Sequence, residues 1–236
     1  GNRIALVDAR GGITRLEYDP GNRLVQTTDA EGRISRFEYD QRGNRITQRT
    51  GAGTADEQIT RFEYDAQNNL RAVVDAEGGR ATSDFDRVYN QVSATDANGH
   101  STTYGFDALN RRVTMTDALG QTSSMGYDAV GNVLTSTDAL GRITTTSYDA
   151  DKRAISMTAA DGTVTQYAWD AVDNRIAMTR AHGSALAQTT TYAYDKNNRL
   201  TASSDALGHT SSVEYDANGN AVAQVDALGH RTRYVY

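Results

Sequence analysis

Hydrophobic and polar residues alternate along short stretches of this chain, in pairs of neighbouring runs. In the stretch that ends at Tyr18, Thr14 and Leu16 alternate with Arg15 and Glu17. An alternation with period two is typical of a β-strand that has one packed face and one solvated face. A second, weaker run comes after it, with an aliphatic residue seven positions after most of the aromatics. These runs have the length of strands and are too short for helices.

The alternation belongs to a tandem repeat of about 21 residues, marked by an aromatic residue followed by Asp. When Tyr236, which would open the next copy, is included, eight of the ten intervals between successive aromatics are 21 residues long, and the other two are 25. The repeat-defining residues, of which the last two are turn residues of one clear copy, are Tyr18, Asp19, Tyr39, Asp40, Tyr64, Asp65, Phe85, Asp86, Phe106, Asp107, Tyr127, Asp128, Tyr148, Asp149, Trp169, Asp170, Tyr194, Asp195, Tyr215, Asp216, Gly131 and Asn132.

A second marker, Asp-Ala-x-Gly, begins ten residues before most of the aromatics, as at Asp138–Gly141 before Tyr148. Each repeat therefore holds two turn signals, because Asp and Asn side chains bond nearby backbone groups and Gly supplies a positive φ. The sequence predicts an all-β fold of tandem antiparallel hairpins that forms a curved or spiralling strip. A β-propeller is the alternative, since Asn and Arg alternate five residues after the aromatics and suggest a weak 42-residue period.

Residues 1–236 are expected to form one array of ten to eleven hairpin units, with no second domain. The two longer repeats carry four extra residues each, near 51–58 and 181–188. Both segments are interpreted as longer hairpin loops. Since loops carry function more often than scaffold does, they are the places where a special role is sought first.

Composition excludes several classes of function. The net charge of −6 is unfavourable for nucleic-acid binding, which needs a basic face. The chain has no Cys, so it has neither disulfides nor thiolate chemistry, and no apolar run reaches the length of a membrane span. The first residues, Gly1–Arg3, do not have the character of a signal peptide.

No motif indicates catalysis, a cofactor or a metal. The repeated Asp residues are interpreted as turn residues, because an active site would break the repeat. His100, His209 and His230 occupy one tolerant polar position and are too few for zinc. The Asp-rich strings lack the spacing and the closing Glu of a calcium loop. We therefore expect no enzyme activity, no cofactor and no metal.

The cycle of aromatic-Asp, Gly-Asn and Thr-Asp-Ala-x-Gly, which is clear from Tyr127 to Tyr148, resembles the RHS (rearrangement hotspot) or YD-repeat family. The resemblance covers essentially the whole chain. It implies a piece of a longer protein whose hairpin strip winds into a hollow shell. The Pro- and Gly-rich closing motif of complete members has no counterpart in these residues.

The resemblance implies that the chain is a segment of a shell that encapsulates and helps deliver a C-terminal toxin domain of a bacterial polymorphic toxin. Its implied partners are the other repeats of the same polypeptide, the enclosed toxin domain and a secretion apparatus. Such a protein would be made in the cytoplasm and then be secreted or delivered to a cell surface. The alternative is an extracellular module that binds carbohydrate or cell surfaces, with the aromatics as sugar platforms.

Overall fold

The computed structural model describes residues 1–236, and all of its regular structure is antiparallel β-sheet. The chain forms two compact units, of which the first is Gly1–Thr122 and the second is Ser123–Tyr236. In each unit, every strand pairs with the strand that comes next in sequence. The all-β hairpin fold predicted from the sequence is thereby confirmed.

The strands of the first unit are β1 (Ala5–Val7), β2 (Ile13–Tyr18), β3 (Leu24–Thr28), β4 (Ile34–Tyr39), β5 (Arg45–Thr50), β6 (Gln58–Tyr64), β7 (Leu70–Val74), β8 (Arg80–Phe85), β9 (Gln91–Thr95), β10 (Ser101–Phe106) and β11 (Arg112–Thr116). Their pairing runs from β1 to β11 without a break.

The strands of the second unit, of which β12 begins one residue earlier, are β12 (Thr122–Tyr127), β13 (Val133–Thr137), β14 (Ile143–Tyr148), β15 (Ala154–Thr158), β16 (Val164–Trp169), β17 (Arg175–Arg180), β18 (Gln188–Tyr194), β19 (Leu200–Ser204), β20 (Thr210–Tyr215), β21 (Ala221–Val225) and β22 (Arg231–Arg233). They too pair in sequence order. Neither sheet divides into four-stranded blades, which the propeller alternative requires.

A β-bulge recurs where a strand ends in its aromatic. In β14 and β15, Ser147 pairs with Ser156 but Tyr148 pairs with Ala154, so that Ala154 and Ile155 together oppose Tyr148. The same register shift occurs after Glu17 in β2 and after Glu214 in β20. A bulge of this kind bends its strand and increases the local right-handed twist. The spacing of the repeat thus encodes a distortion at a fixed place in each such hairpin.

The two faces of the sheet are defined by the register. One face, which we call the aromatic face, carries the repeat aromatics and the residues two and four positions before them. In β14, Thr144, Thr146 and Tyr148 are half-buried, whereas Thr145 and Ser147 on the opposite face are exposed. The alternation read from the sequence is present.

The most deeply buried strand residues do not lie on the aromatic face. The aromatic face is half-buried in strands such as β2 and β14, but the deepest burial within strands is on the opposite face, at Ala72 (2% exposed) and Ala223 (1% exposed). Each of these alanines pairs with a glutamate, Glu63 or Glu214, that is ion-paired to an arginine. Long charged side chains cover small neighbours with their aliphatic stems. Ile155, an aliphatic residue of the aromatic face, is 38% exposed.

Candidate functional site

The aspartates of both turn signals build one and the same five-residue turn. At Asp149, Oδ1 accepts the backbone N–H groups of Asp151 (3.0 Å) and Arg153 (2.9 Å), and Oδ2 accepts Arg153 Nε–H (2.7 Å). The backbone N–H of Asp149 donates to the Arg153 carbonyl, and that of Lys152 donates back to the Asp149 carbonyl. Asp138 makes the same three side-chain bonds, to Leu140 and Arg142. The sequence shows two signals, but the structure shows one motif.

The fifth residue of the turn completes it through its side chain. Asn, Arg or His occupies this place in most turns, and each has an N–H group within reach of the second carboxylate oxygen. His100, His209 and His230 lie here, with Nδ1 2.9 Å from Oδ2 of Asp96, Asp205 and Asp226. The tolerant polar position noted in the sequence is therefore a hydrogen-bonding position of the turn. No group of three or more His, Cys, Asp or Glu side chains is arranged to hold a metal ion.

These hydrogen bonds lower the pKa values of aspartates such as Asp149, Asp65 and Asp205. The pKa of Asp149 lies below its ordinary value of 3.8, chiefly because the Arg153 backbone N–H donates to it, although desolvation opposes the shift. The Asn69 side chain is the main cause of the lowered pKa of Asp65, and the His209 side chain is the main cause at Asp205. A carboxylate that accepts several N–H bonds favours its charged form. Such aspartates are poor candidates for a proton-transferring acid or base.

The fourth residue of the turn has a positive φ, which favours glycine. Gly131 (φ 96°) and Gly141 (φ 75°) supply it in two turns of the second unit. Lys152 (φ 64°) and Tyr89 (φ 70°) adopt the same left-handed conformation without being glycine or asparagine. In these two turns the hydrogen bonds of the aspartate hold a backbone conformation that the residue itself disfavours.

The repeat aromatics connect the bulge in one strand to the strand that follows it. The connection is a hydrogen bond from the aromatic side chain to a backbone carbonyl of the bulge, which we call the carbonyl tie. The Tyr148 hydroxyl donates to the Val133 carbonyl (3.0 Å), and Trp169 Nε1–H donates to the Ala154 carbonyl (2.8 Å). Ala154 is a bulge residue that already pairs with Tyr148. The side chains of Tyr148 and Trp169 thus each satisfy a carbonyl at a place where the regular ladder is interrupted. Phe85 and Phe106 have no polar hydrogen with which to make this bond.

Five residues after the aromatic, Asn or Arg connects successive turns along the same edge of a sheet. In the second unit, Arg153 Nη1 donates to the Asp170 carbonyl (2.9 Å), and Asn174 Nδ2 donates to Asn198 Oδ1 (3.1 Å). Arg199 reaches the Asp216 carbonyl in the same way (3.3 Å). The alternation of Asn and Arg that suggested a 42-residue period is thus explained by two ways of linking one turn to the next.

The repeat-defining residues therefore come together in neighbouring turns and bulges. Each repeat aspartate is the first residue of the turn that follows its aromatic residue. Gly131 and Asn132 are the fourth and fifth residues of the turn that Asp128 opens. In that turn, Asn132 Nδ2 donates to Asp128 Oδ2 (2.8 Å). Sequence reasoning did not identify the bulges or the carbonyl ties. A fixed distance of 15 residues between most tyrosines and their carbonyl partners is the signal that could have revealed the ties.

The two long hairpin loops differ in how they are closed. In both loops, one backbone N–H adds a further hydrogen bond to the strand pairing that precedes the loop. Ala52 N–H donates to the Ile34 carbonyl of β4, and His182 N–H donates to the Val164 carbonyl of β16, each at 2.9 Å. Glu57 closes the first loop, through an ion pair with Arg49 (2.9 Å) and a bond from the Gly53 N–H. Ala187 occupies the corresponding place in the second loop, next to the exposed Leu186.

Arginines stack on rings of the aromatic face beside these long hairpins. The Arg45 guanidinium lies 4.7 Å from the Phe62 ring centre and 5.8 Å from that of Phe37. Arg175, at the matching place in the second unit, lies 5.0 Å from Tyr192 and 5.9 Å from Tyr167. Cation–π contacts of this kind stabilise the face by about 0.5–1 kcal/mol each when exposed. They engage rings that the carbohydrate-binding alternative would require to be free.

Fold and turn geometry define a class of protein: a tandem β-hairpin scaffold in which the repeated side chains stabilise the repeat itself. Family comparison agrees. The model of the RHS repeat family matches residues 1–34, 21–55, 90–122, 127–153 and 148–185, which together make up more than half of the chain. The chain belongs to the RHS repeat family, and the resemblance seen in the sequence is confirmed. A repeat of this family has a structural, shell-forming role.

Solved structures align with most of this chain at low sequence identity. The Photorhabdus luminescens Tc holotoxin pore is 14% identical, over 92% of this chain and 18% of that chain, with a TM-score of 0.38. A crystal structure of TcdB2-TccC3 with Cdc42 is 13% identical, over 93% of this chain and 18% of that one, with a TM-score of 0.31. This chain thus spans less than a fifth of the length of either. No curated protein matches it, and no helix of the structure is long and apolar enough to cross a membrane.

Proposed function

We propose that this chain is a segment of a β-hairpin shell that encloses a polypeptide cargo, a toxin domain encoded downstream in the same gene, and helps to deliver it. The observation that carries the proposal is the repetition of one aspartate turn at both ends of the hairpins, within a chain of the RHS repeat family. A structure in which the same bonds recur along the sheet is suited to forming a wall. Activity would reside in the cargo.

The use of the titratable groups supports a scaffold. In a turn such as that of Asp149, both carboxylate oxygens are hydrogen-bonded within the turn, and the pKa lies below its ordinary value and so further from neutral pH. A general acid or base instead needs a pKa near the working pH and a free path to a substrate. The strongest interactions of this chain therefore stabilise turns, as a wall requires.

A wall made of hairpins also protects its own edges. An open sheet presents unpaired N–H and C=O groups along its first and last strands, and these groups pair readily with other chains. The other repeats of a longer polypeptide would cover such edges at β1 and β22. We infer that these repeats and the enclosed toxin domain are the main partners, and that a secretion apparatus carries the assembly out of the cytoplasm in which it is made.

Limited proteolysis of the full-length gene product tests the proposal. The domain encoded after the repeats is expected to resist a protease as long as the repeats are folded, and to be digested quickly once they are opened. Asp138→Ala with Asp149→Ala removes the side-chain anchors of the two turns at either end of β14. Thr145→Ser, on an exposed position of β14, is the matched control. If the downstream domain is digested equally fast in both variants and in isolation, the container function is wrong.

A further inference from the structure

The face opposite the aromatic face changes its chemistry along the chain. In the second unit, from β12 to β19, this face carries hydroxyl, amide and small aliphatic side chains and no charged side chain. We call it the hydroxyl face. By strand register it consists of Ser124, Gly126, Thr135, Thr137, Ile143, Thr145, Ser147, Ser156, Thr158, Val164, Gln166, Ala168, Ala177, Thr179, Thr189, Thr191, Ala193, Ala202 and Ser204.

Such a face is unusual for a surface that meets bulk water. Charged residues make up 23% of the whole chain, and charges on open sheet surfaces protect a protein from association. Over the same span of the second unit, the charged residues of the turns lie at the sheet edges, and Arg175 and Arg180 are not on the hydroxyl face. The lack of charge is therefore a property of one face and not of the whole region.

The hydroxyl face also lacks the groups that hold binding partners. Aromatic and arginine side chains supply most of the energy of protein interfaces, and within the strands β12–β19 both lie on the aromatic face, as Arg175 and Tyr192 show. Several hydroxyls bond to one another across strands, at Thr179 and Thr189 (2.9 Å) and at Ser204 and Thr210 (2.6 Å). A polypeptide that lies against this face meets no charged, aromatic or arginine side chain.

We propose that the hydroxyl face lines the interior of the shell and faces the cargo, which it accommodates without binding it tightly. This inference rests on the container function proposed above and adds which side of the sheet faces inward. A lining without charges or anchors suits cargo of any sequence and lets it leave again. The aromatic face is then the outer one.

Single cysteines on opposite faces of one strand test the assignment, since the chain has no cysteine of its own. Ser156→Cys places a thiol on the hydroxyl face, and Ile155→Cys places one on the aromatic face, at the neighbouring position of β15. Both are made in the full-length gene product. Each is treated with a maleimide on a long polyethylene glycol chain, too large to enter a closed shell, and with the small N-ethylmaleimide, and labelling is read from the peptide that contains β15.

The inference predicts that the large reagent labels Ile155→Cys and fails to label Ser156→Cys until the protein is denatured, while N-ethylmaleimide reacts with both. Labelling of Ser156→Cys alone overturns the inference and leaves the container function standing, because the faces are then reversed. Labelling of both by the large reagent removes the container function as well. Labelling of neither overturns the inference, because the aromatic face is then covered too.

Discussion

The first and second units are built on the same turns and bulges but differ on the face opposite the aromatics. In the first unit, from β2 to β8, that face carries Arg15, Glu17, Arg36, Glu38, Arg49, Arg61, Glu63, Arg80 and Asp84, which we call the charged ladder. In the second unit the corresponding positions from β12 to β19 form the uncharged hydroxyl face, and charges return at Glu214 and Arg231. The backbone is therefore specified by the turns and the aromatics, and this face is free to vary.

The turn and aromatic residues that both units share form the fold. The residues of the face opposite the aromatics differ between the units and are therefore available for a function. The Asp149 turn and the Tyr148 tie have counterparts in the first unit, at Asp40 and Tyr39. Ion pairs such as Glu63–Arg80 belong to the charged ladder. Each experiment below changes either the shared framework or the variable face, and they run from the largest expected effect to the smallest.

Acid is expected to destabilise both units, because their turn aspartates share lowered pKa values, as at Asp40 and Asp149. A group whose pKa is lower in the folded state stabilises that state above its unfolded pKa and loses this contribution as the pH falls through the folded value. Stability should thus be full above about pH 5 and fall steeply below about pH 4. Urea denaturation at a series of pH values measures it, and a flat profile down to about pH 3 contradicts the account.

The charged ladder should add to this acid sensitivity in the first unit. The Arg80 side chain holds the pKa of Glu63 below its ordinary value of 4.5. Amide hydrogen exchange resolves the two units, and β6–β8 should lose protection at a higher pH than β14–β16.

Enlarging a small residue beneath the charged ladder should cost more than the same change on the hydroxyl face. Ala72 is buried beneath the Glu63–Arg80 pair, whereas Ala202 is only half-buried at the same position of its repeat. Ala72→Leu should destabilise by about 2 kcal/mol through overpacking, and Ala202→Leu by less than about 0.5 kcal/mol. Urea denaturation of both variants gives the two values. Equal costs would show that the long charged side chains do not determine burial on this face.

Removing one carbonyl tie tests the shared framework. Tyr148→Phe deletes the hydroxyl that donates to the Val133 carbonyl and should destabilise by about 1 kcal/mol. Phe106→Tyr is the reciprocal change in the first unit and should stabilise by a smaller amount. Thermal unfolding of both variants checks the pair. If Tyr148→Phe is neutral, water replaces the hydroxyl and the tie is not a structural element.

Relieving a strained turn should stabilise either unit alike. Lys152→Gly and Tyr89→Gly place glycine at positions with φ of 64° and 70°. The relief of left-handed strain exceeds the added flexibility of the unfolded chain, so each should stabilise by about 0.5–1 kcal/mol. Asn110→Gly (φ 61°) should give less, because asparagine tolerates this conformation. Chemical denaturation measures all three, and a loss of stability in the first two contradicts the turn assignment.

Converting the hydroxyl face into a charged ladder should have the smallest effect. Ser147→Glu with Val164→Arg reproduces the spacing of Glu63 and Arg80 in the second unit. Each single change should lie within about 0.5 kcal/mol of neutral, and the pair should recover about 0.2–1 kcal/mol as an exposed ion pair. A double-mutant cycle by urea denaturation measures the coupling. Unfolding of the double variant would show that the fold itself requires an uncharged face.

Much of this fold was predictable because its signals are local. The period of the aromatic-Asp pairs gave the hairpins, and the Gly and Asn positions gave the turns, since both depend on backbone conformation within five residues. The longer segments near 51–58 and 181–188 lie where loops are found, between β5 and β6 and between β17 and β18. The two intervals of 25 residues, which break the repeat, therefore also show where the longer loops are inserted.

The features that escaped prediction depend on contacts between strands. The bulge at Tyr148 becomes visible only when β14 and β15 are placed in register. The burial of Ala72 comes from the reach of Glu63 and Arg80 across neighbouring strands, and hydropathy alone ranks an alanine among charges as exposed. The division of one face into charged and uncharged parts likewise appears only after the register assigns each residue to a side.

The most direct test of the central claim is a cryo-electron microscopy map of the full-length gene product. The account predicts a continuous wall of antiparallel hairpins around a cavity, with the density of the downstream domain inside it and Ser156 on the inner surface. A hairpin sheet with both faces in solvent and the downstream domain folded outside it would contradict the claim that this chain is part of a container.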